Sequence, residues 1–284
     1  MAGKLYLCPT PIGNLGDMTP RVIETMKSVD LIAAEDTRNS IKLLNHFEIH
    51  VPMTSYHEYN KIDKGRVLVE KMLEGQDIAL ITDAGTPGIS DPGQELVRMC
   101  IEAGVEVTSL PGASAVITAL TLSGLPTRRF CFEGFLPTEK KEQEKVLARL
   151  KNETRTTVFY EAPHRLLKTL PLLIEAAGPD RRTAVCKELT KKHESVFRGS
   201  LKQALAWFQE NPPRGEFVIV LQGADESLLE EERRQSFEQI SLQDHMQVYL
   251  DQGMSRKEAM KCVAKDRGVS RRQIYAALLE EDRD

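Results

Sequence analysis

Over residues 1–122 the pattern of apolar and polar positions switches repeatedly between two periods. Short apolar runs at 4–8, 31–34, around 51–55, 77–82 and 105–110 read as strands. The segments between them space apolar residues three and four apart, which predicts helices over 20–29, 40–47, 63–73, 94–103 and 114–122. Strands alternating with helices imply βαβ crossovers, hence a largely parallel sheet covered on both faces. The pattern breaks at Ser123-Gly124-Leu125-Pro126, where a domain boundary is expected. It resumes as a second α/β unit, with strands expected at 129–134, 156–160, 183–187 and 217–221 and helices over 141–150, 164–177 and 201–209.

Residues 224–236 (ADESLLEEERRQS) read as a charged linker, partly helical or disordered. Beyond it, three short helices are expected. Ser255–Glu258 and Ser270–Gln273 each spell a capping box, with Gly268 between the helices they open, the pattern of a helix-turn-helix. The expected organisation is an N-terminal α/β domain (1–122), a second α/β domain (123–223), the linker (224–236) and a small helical C-terminal domain (237–284).

The strand at 77–82 runs into "LITDAGTPGISDPGQELV" at 80–97, a loop with three glycines and two prolines before a helix. Glycine lets backbone approach a ligand closely, and proline stiffens the path. The loop is not a P-loop, because Gly93 is followed by Gln94 rather than Lys and Ser/Thr, nor does it carry the G-x-G-x-x-G dinucleotide fingerprint. Two further Gly/Pro loops follow the first and fifth strands, at 9–17 (PTPIGNLGD) and 111–115 (PGASA). In a parallel sheet all three emerge at the carboxyl edge, where ligands bind. They carry Asp17, Asp83 and Asp91 but no basic residue, which suits a ligand with a positive centre.

Composition narrows the classes further. The chain has 284 residues, enough for two domains with real cores, and a formal net charge of −4, so any nucleic-acid surface must be local. The five cysteines are widely spaced without a C-x-x-C pair, which argues against disulfides and a zinc site and fits a reducing cytoplasm. No signal peptide or membrane span is read. Residues 254–275 hold seven basic residues, among them Arg256, Lys257, Lys261, Arg271 and Arg272, against two acidic ones. Residues 181–202 hold another seven, among them Arg181, Arg182, Lys191 and Lys192. Two such stripes beside a helix-turn-helix pattern point to RNA phosphates; the plainer meaning of each is a solvated helix face.

Six motifs, "TPIGNLGD", "AAEDTR", "TDAGTPGISDPG", "LPGASA", "FYEAPHR" and "GEFVIVLQG", together resemble the tetrapyrrole-methylase superfamily and, within it, the ribosomal small-subunit RNA methyltransferase I group. The likeness runs over essentially the whole chain. It implies a tetrapyrrole-methylase-like α/β fold with a largely parallel first sheet and a mixed second sheet. It also implies S-adenosylmethionine bound between the domains, 2′-O-methylation of a cytidine in the decoding region of 16S ribosomal RNA, and a homodimer. The resemblance puts the cofactor against Pro11, against Asp83, Gly85, Thr86, Ile89 and Ser90, and against Ser114 and Ala115. In the second domain it adds Glu161, Ala162, Glu216, Phe217 and Val218.

Methyl transfer to a ribose hydroxyl is helped by a positioned base. Asp36 and Arg38, His57 and Glu58, His164, and the pair Lys187–Glu188 are candidates, and the residues alone do not choose among them. Glu35-Asp36-Thr37-Arg38 puts three charged groups at the carboxyl edge and also reads as a salt-bridged corner, and His57 with Tyr56 and Tyr59 as a base-stacking group or an exposed loop. Two rival readings share parts of the pattern: a small-metabolite or tetrapyrrole methyltransferase, and a ligand-sensing regulator whose tail reads DNA.

Overall fold

A computed structural model describes residues 2–281. The chain divides into two compact units, one of residues 1–148 with 155–222 and one of residues 149–154 with 223–284.

The first unit holds two five-stranded sheets. The first is formed by β1 (Lys4–Leu7), β2 (Leu31–Ala34), β3 (Met53–Ser55), β4 (Ile78–Ile81) and β5 (Glu106–Ser109), in the order β3-β2-β4-β1-β5 with every pair parallel. The crossovers are α1 (Pro20–Ser28), α2 (Thr37–His46), α3 (Lys61–Leu73) and α4 (Gly93–Glu102). The central strand shows why. Side chains alternate across a strand, so Ile78 and Leu80 of β4 pack with Leu68, Met72 and Leu96, while Ala79 and Ile81 pack on the other face with Val22, Met26 and Leu44. All four residues of β4 are buried, as a strand covered on both faces requires.

The helix after β5, α5 (Ala115–Ser123), is apolar on nearly all sides because it serves the second sheet as well. Its Val116, Ala119 and Leu120 share a core with Val158, Ala184, Cys186, Val218 and Val220. That sheet contains β6 (Phe130–Phe135), β7 (Thr156–Glu161), β8 (Arg182–Lys187), β9 (Ser195–Ser200) and β10 (Phe217–Leu221), in the order β6-β7-β10-β8-β9. The β6–β7 pair is parallel and the other three pairs are antiparallel. Helices α6 (Lys140–Leu150), α7 (Pro163–Ala177) and α8 (Leu201–Glu210) complete it. The expected fold class, a parallel sheet followed by a mixed one, is what the structure shows.

The structure departs from the sequence reading most clearly at β9 and at the start of α2. Strand β9 was not expected: "SVFRGS" is short and small-polar, and as an edge strand it lacks a fully apolar face. Helix α2 starts at Thr37 rather than 40, because the Asp36 carboxylate accepts the Arg38 N–H and caps it.

In the second unit the segment read as a linker is helical, α9 (Glu226–Glu238), capped by Asp225. It is followed by α10 (Leu242–Leu250), α11 (Arg256–Asp266) and α12 (Arg271–Glu281). Leu242, Met246, Ala259, Val263, Ile274 and Leu278 form their shared core. Among the described residues no helix is long and apolar enough to cross a membrane.

Candidate active site

The three Gly/Pro loops meet at the carboxyl edge of the first sheet, and backbone hydrogen bonds stitch them together. Thr10 and Gly85 exchange both amide bonds, at 2.9 and 3.0 Å. The Thr86 hydroxyl donates to the Ala113 carbonyl at 2.9 Å, tying the second loop to the third. Gly85 sits at φ +84°, where a side chain is strained, and a Cβ there would press within 3.3 Å of Ile12. The loop's own shape comes from Asp91. Its carboxylate accepts the amides of Gly88 (2.8 Å), Ile89 (3.0 Å) and Gly93 (2.7 Å), and Ser90 inside that turn is held at φ +67°. A non-glycine residue at positive φ costs energy that the surrounding bonds must hold, a situation common in ligand loops.

Opposite these loops stand the ends of β7 and β10. Glu161 closes β7 with its carboxylate fully buried, accepting the Thr169 hydroxyl at 2.5 Å and the Ala162 amide at 2.8 Å, with the Arg165 guanidinium 3.4 Å away. Such a saturated carboxylate fixes the turn into α7. Glu216 precedes β10, and its amide donates to the Glu188 carboxylate at 2.9 Å.

Between the two walls lies a cavity of about 460 Å³. Twelve of the thirteen cofactor positions implied by the resemblance line it: Asp83, Gly85, Thr86, Ile89, Ser90, Ser114, Ala115, Glu161, Ala162, Glu216, Phe217 and Val218. The thirteenth, Pro11, lines a smaller neighbouring niche of about 180 Å³ with Thr10, Asn39, Ser40 and Leu43. Thr82 and Asp83 line both. The larger cavity also takes Glu35 and Asp91, so five carboxylates face it and no Lys, Arg or His does. Its walls are otherwise apolar or aromatic, with Tyr160 and Phe135 in edge contact at 5.6 Å. The arrangement suits a compact cationic ligand and offers no cradle for phosphate.

The corner where cavity and niche meet carries the least saturated charge. The Thr82 hydroxyl donates to Glu35 at 2.6 Å, and the Asn39 amide lies 3.4 Å from Asp83. Partial burial pushes the Asp83 carboxyl up; the Asn39 contact opposes this, and the charges of Glu35 and Asp36 add to it. Glu35, the residue after β2, lines the cavity, whereas Asp36 does not. Asp36 makes a two-pronged bond to Arg38, at 3.1 and 2.9 Å, which holds its carboxyl down at about 2.

The other chemical candidates are not brought to the cavity. The His57 amide donates to Asn60 at 2.8 Å, and its ring meets that of Tyr59 with centroids 6.1 Å apart; its Nδ1 is buried without a hydrogen-bond partner. Glu58 pairs with Lys61 at 2.5 Å. His164 lies in the first turn of α7, next to the lining residue Pro163. Glu188 supports rather than lines the site. Burial works against its ionised form, but the Glu216 amide and Lys191 more than offset that and hold its carboxyl low. A Cβ on Gly215 would collide with this carboxylate, so glycine is needed there at φ +82°.

The two basic stripes divide. Arg181 donates to the Gln222 carbonyl at 3.3 Å, and Lys191 bridges Glu188 and Glu216 at 3.0 and 2.8 Å. Arg182 and Lys192 are exposed, as are Arg256, Lys257, Lys261, Arg271 and Arg272 in the second unit.

Comparison with known proteins agrees with this arrangement. Residues 4–205 match the family model described as Tetrapyrrole (Corrin/Porphyrin) Methylases. A protein of Synechocystis sp. named Ribosomal RNA small subunit methyltransferase I is 50% identical over 282 residues, covering 99% of each chain. Relatives of the same name from Bacillus subtilis and Escherichia coli O157:H7 are 48% and 41% identical, covering 97% and 98% of this chain and 94% and 96% of their own. Among solved structures, the methyltransferase CobJ superposes with a TM-score of 0.58 at 19% identity, over 78% of this chain and 95% of that one. A Thermus thermophilus uroporphyrin-III C-methyltransferase complexed with S-adenosylhomocysteine gives 0.53 at 18% identity, over 78% and 97%. At such identities these two speak for the fold alone.

Proposed function

The chain belongs to the tetrapyrrole methylase family and is an S-adenosylmethionine-dependent methyltransferase, and from that premise we propose that its acceptor is the 2′-hydroxyl of a cytidine in the decoding region of 16S small-subunit ribosomal RNA. The relatives that share 41–50% identity over nearly the whole chain carry a ribosomal RNA name.

The residues present fit the cofactor. A sulfonium cation bearing adenosine needs a cavity of a few hundred cubic ångströms, apolar walls, backbone groups within reach and no competing cation, and this cavity of about 460 Å³ has all four. Once bound, S-adenosylmethionine supplies an electrophilic methyl group. The rest of the task is the protein's. Asp91 and the Thr10–Gly85 and Thr86–Ala113 bonds hold the loop that would meet adenosine and the amino-acid tail. Glu161 and Tyr160 fix the opposite wall. In-line displacement depends on alignment of nucleophile and leaving group, and rigid walls supply that.

The smaller niche is where the acceptor ribose would enter, because it shares Thr82 and Asp83 with the larger cavity. There Asp83 is placed to take the hydroxyl proton. Its raised carboxyl makes it a better base than Asp36, which Arg38 holds near 2.

The single observation carrying this reading is the acid-lined cavity that shares Thr82 and Asp83 with a neighbouring niche of about 180 Å³. The test supplies methyl-labelled S-adenosylmethionine with unmodified small ribosomal subunits, naked small-subunit RNA, and a tetrapyrrole pool. Label recovered as 2′-O-methylcytidine supports the proposal; label only in a tetrapyrrole or other metabolite overturns it. The homodimer implied by the resemblance is a separate expectation, checked by sedimentation of the purified protein.

A further inference from the structure

The α8 side of the second sheet holds another cavity, about 430 Å³, close in size to the cofactor cavity. Its chemistry is the inverse. No carboxylate lines it, and its cations are Lys187 and Arg198. The guanidinium of Arg198 is already bonded to the Leu122 carbonyl at 3.0 Å, whereas the Lys187 charge acts on the neighbouring Glu188 without a close ion pair among the described residues. Four aromatic rings complete the lining. Phe208 stands at right angles to Phe217 with centroids 5.5 Å apart, and Phe197 lies 6.2 Å from both Phe208 and Trp207.

These rings are not an ordinary buried cluster. Phe208 and Phe217 are 5% and 2% exposed, but Trp207 is 50% exposed at the mouth. Leaving an indole half in water above an open, ring-lined cavity forgoes much of the stabilisation its burial would give. A flat partner would recover it. Positive charge is also at hand: Lys187 of β8 stands directly opposite Phe217 of β10 in the strand register, and Arg214 is exposed one residue beyond the lining residue Pro213. Cation plus exposed aromatic, with no acid, matches a stacked base and its phosphate. Phe217 lines this cavity and the cofactor cavity alike, so the two sites are neighbours.

We propose that this cavity binds an unstacked nucleotide of the RNA substrate, near the methylated one, with its base on Trp207 and its phosphate on Lys187. The inference rests on the RNA reading given above and assigns a second point of grip for that substrate.

Trp207 is the chain's only tryptophan, so its emission reports on the cavity without a label. The experiment titrates the full chain with a single-stranded oligocytidylate of about eight nucleotides, a length within the usual span of single-strand sites. Saturable quenching that weakens with added salt and is reduced in Lys187→Gln supports the site. Stacking lost in Trp207→Ala corresponds to a rise of about 5- to 150-fold in KM for RNA, with S-adenosylmethionine affinity unchanged and Trp207→Phe close to the parent. RNA that is methylated normally while Trp207 emission stays constant, and while Trp207→Ala keeps its KM, overturns the inference and leaves the methyltransferase reading intact. Quenching with no methyl transfer to any RNA sinks that earlier reading and, with it, the assignment of this cavity to an RNA substrate. An emission change on concentrating the protein without RNA, absent in its presence at low concentration, overturns the inference in favour of a face between copies of this chain.

Discussion

Two groups of carboxylates face the same cavity and do different things. Asp91 and Glu161 are saturated by neighbours: three backbone amides for the first, a hydroxyl, an amide and a guanidinium for the second. Glu35 and Asp83, at the corner shared with the smaller niche, each have one close side-chain donor. A carboxylate whose acceptor sites are filled locally defines backbone shape, and one left with open sites beside like charge can hold a ligand or a proton. The comparison teaches that acid content alone does not mark chemistry; the count of filled acceptor sites does.

The strongest way to test that division is Asp83→Asn, which keeps the shape and the Asn39 contact region but removes the proton acceptor. Transfer in a single turnover should fall about 100- to 1,000-fold, within the range expected for loss of a general base. Binding of S-adenosylmethionine, measured by calorimetry, should change far less. Equal losses in both would make Asp83 a cofactor ligand only. The pH profile sharpens the point. The parent's rate should fall as pH drops through the raised Asp83 value, while the residual rate of the variant should not follow that limb.

Next in size is Asp91→Ala. Three amides would lose a charged acceptor, and hydrogen bonds to charged groups contribute roughly 1.5–3 kcal/mol each when not replaced by water. Since the loop is open enough for water to substitute in part, a net loss of about 2–3 kcal/mol is expected in denaturant unfolding. Cofactor affinity should weaken with it, because Ser90 at φ +67° would relax. An unchanged midpoint with weakened binding would mean that Asp91 is a ligand contact rather than the loop's anchor.

How much of this was readable beforehand follows from the same division. The first sheet was legible because β4 carries four consecutive buried residues and its neighbours repeat with helical spacing. The cavity's position was legible because three Gly/Pro loops follow parallel strands. What spacing does not spell is which acceptor a side chain meets. Nothing in "GISDPG" says that Asp91 turns back to Gly88 rather than toward a ligand. Likewise "AEDTR" does not say that Asp36 caps α2 and pairs with Arg38, while Glu35 faces the cavity. Strand β9 escaped for another reason: its partner on one side only, β8, lets "SVFRGS" do without an apolar stripe. The second cavity could not be seen at all, since Lys187, Phe197, Trp207 and Phe217 meet only through the sheet register.

The smallest effect expected is at Asp36, and its sign is opposite to that at Asp83. The Arg38 bonds depress Asp36 to about 2, below the unfolded value of about 3.9. Its contribution to stability is therefore full above pH ~4 and lost as pH falls toward 2. Asp83 is raised instead, so its contribution is full below the unfolded value and lost as pH rises through the folded one. Asp83→Asn should thus be no less stable than the parent at neutral pH, whereas Asp36→Asn should show its deficit there and lose it in acid. Because Asp36 and Arg38 lie at the surface, with the Arg38 side chain 88% exposed, that deficit is small. Thermal melts of the two variants and the parent between pH 3 and pH 7 decide it. Parallel curves for all three would show that neither carboxylate is coupled to folding, and that the contrast between Asp36 and Asp83 rests on geometry without energetic consequence.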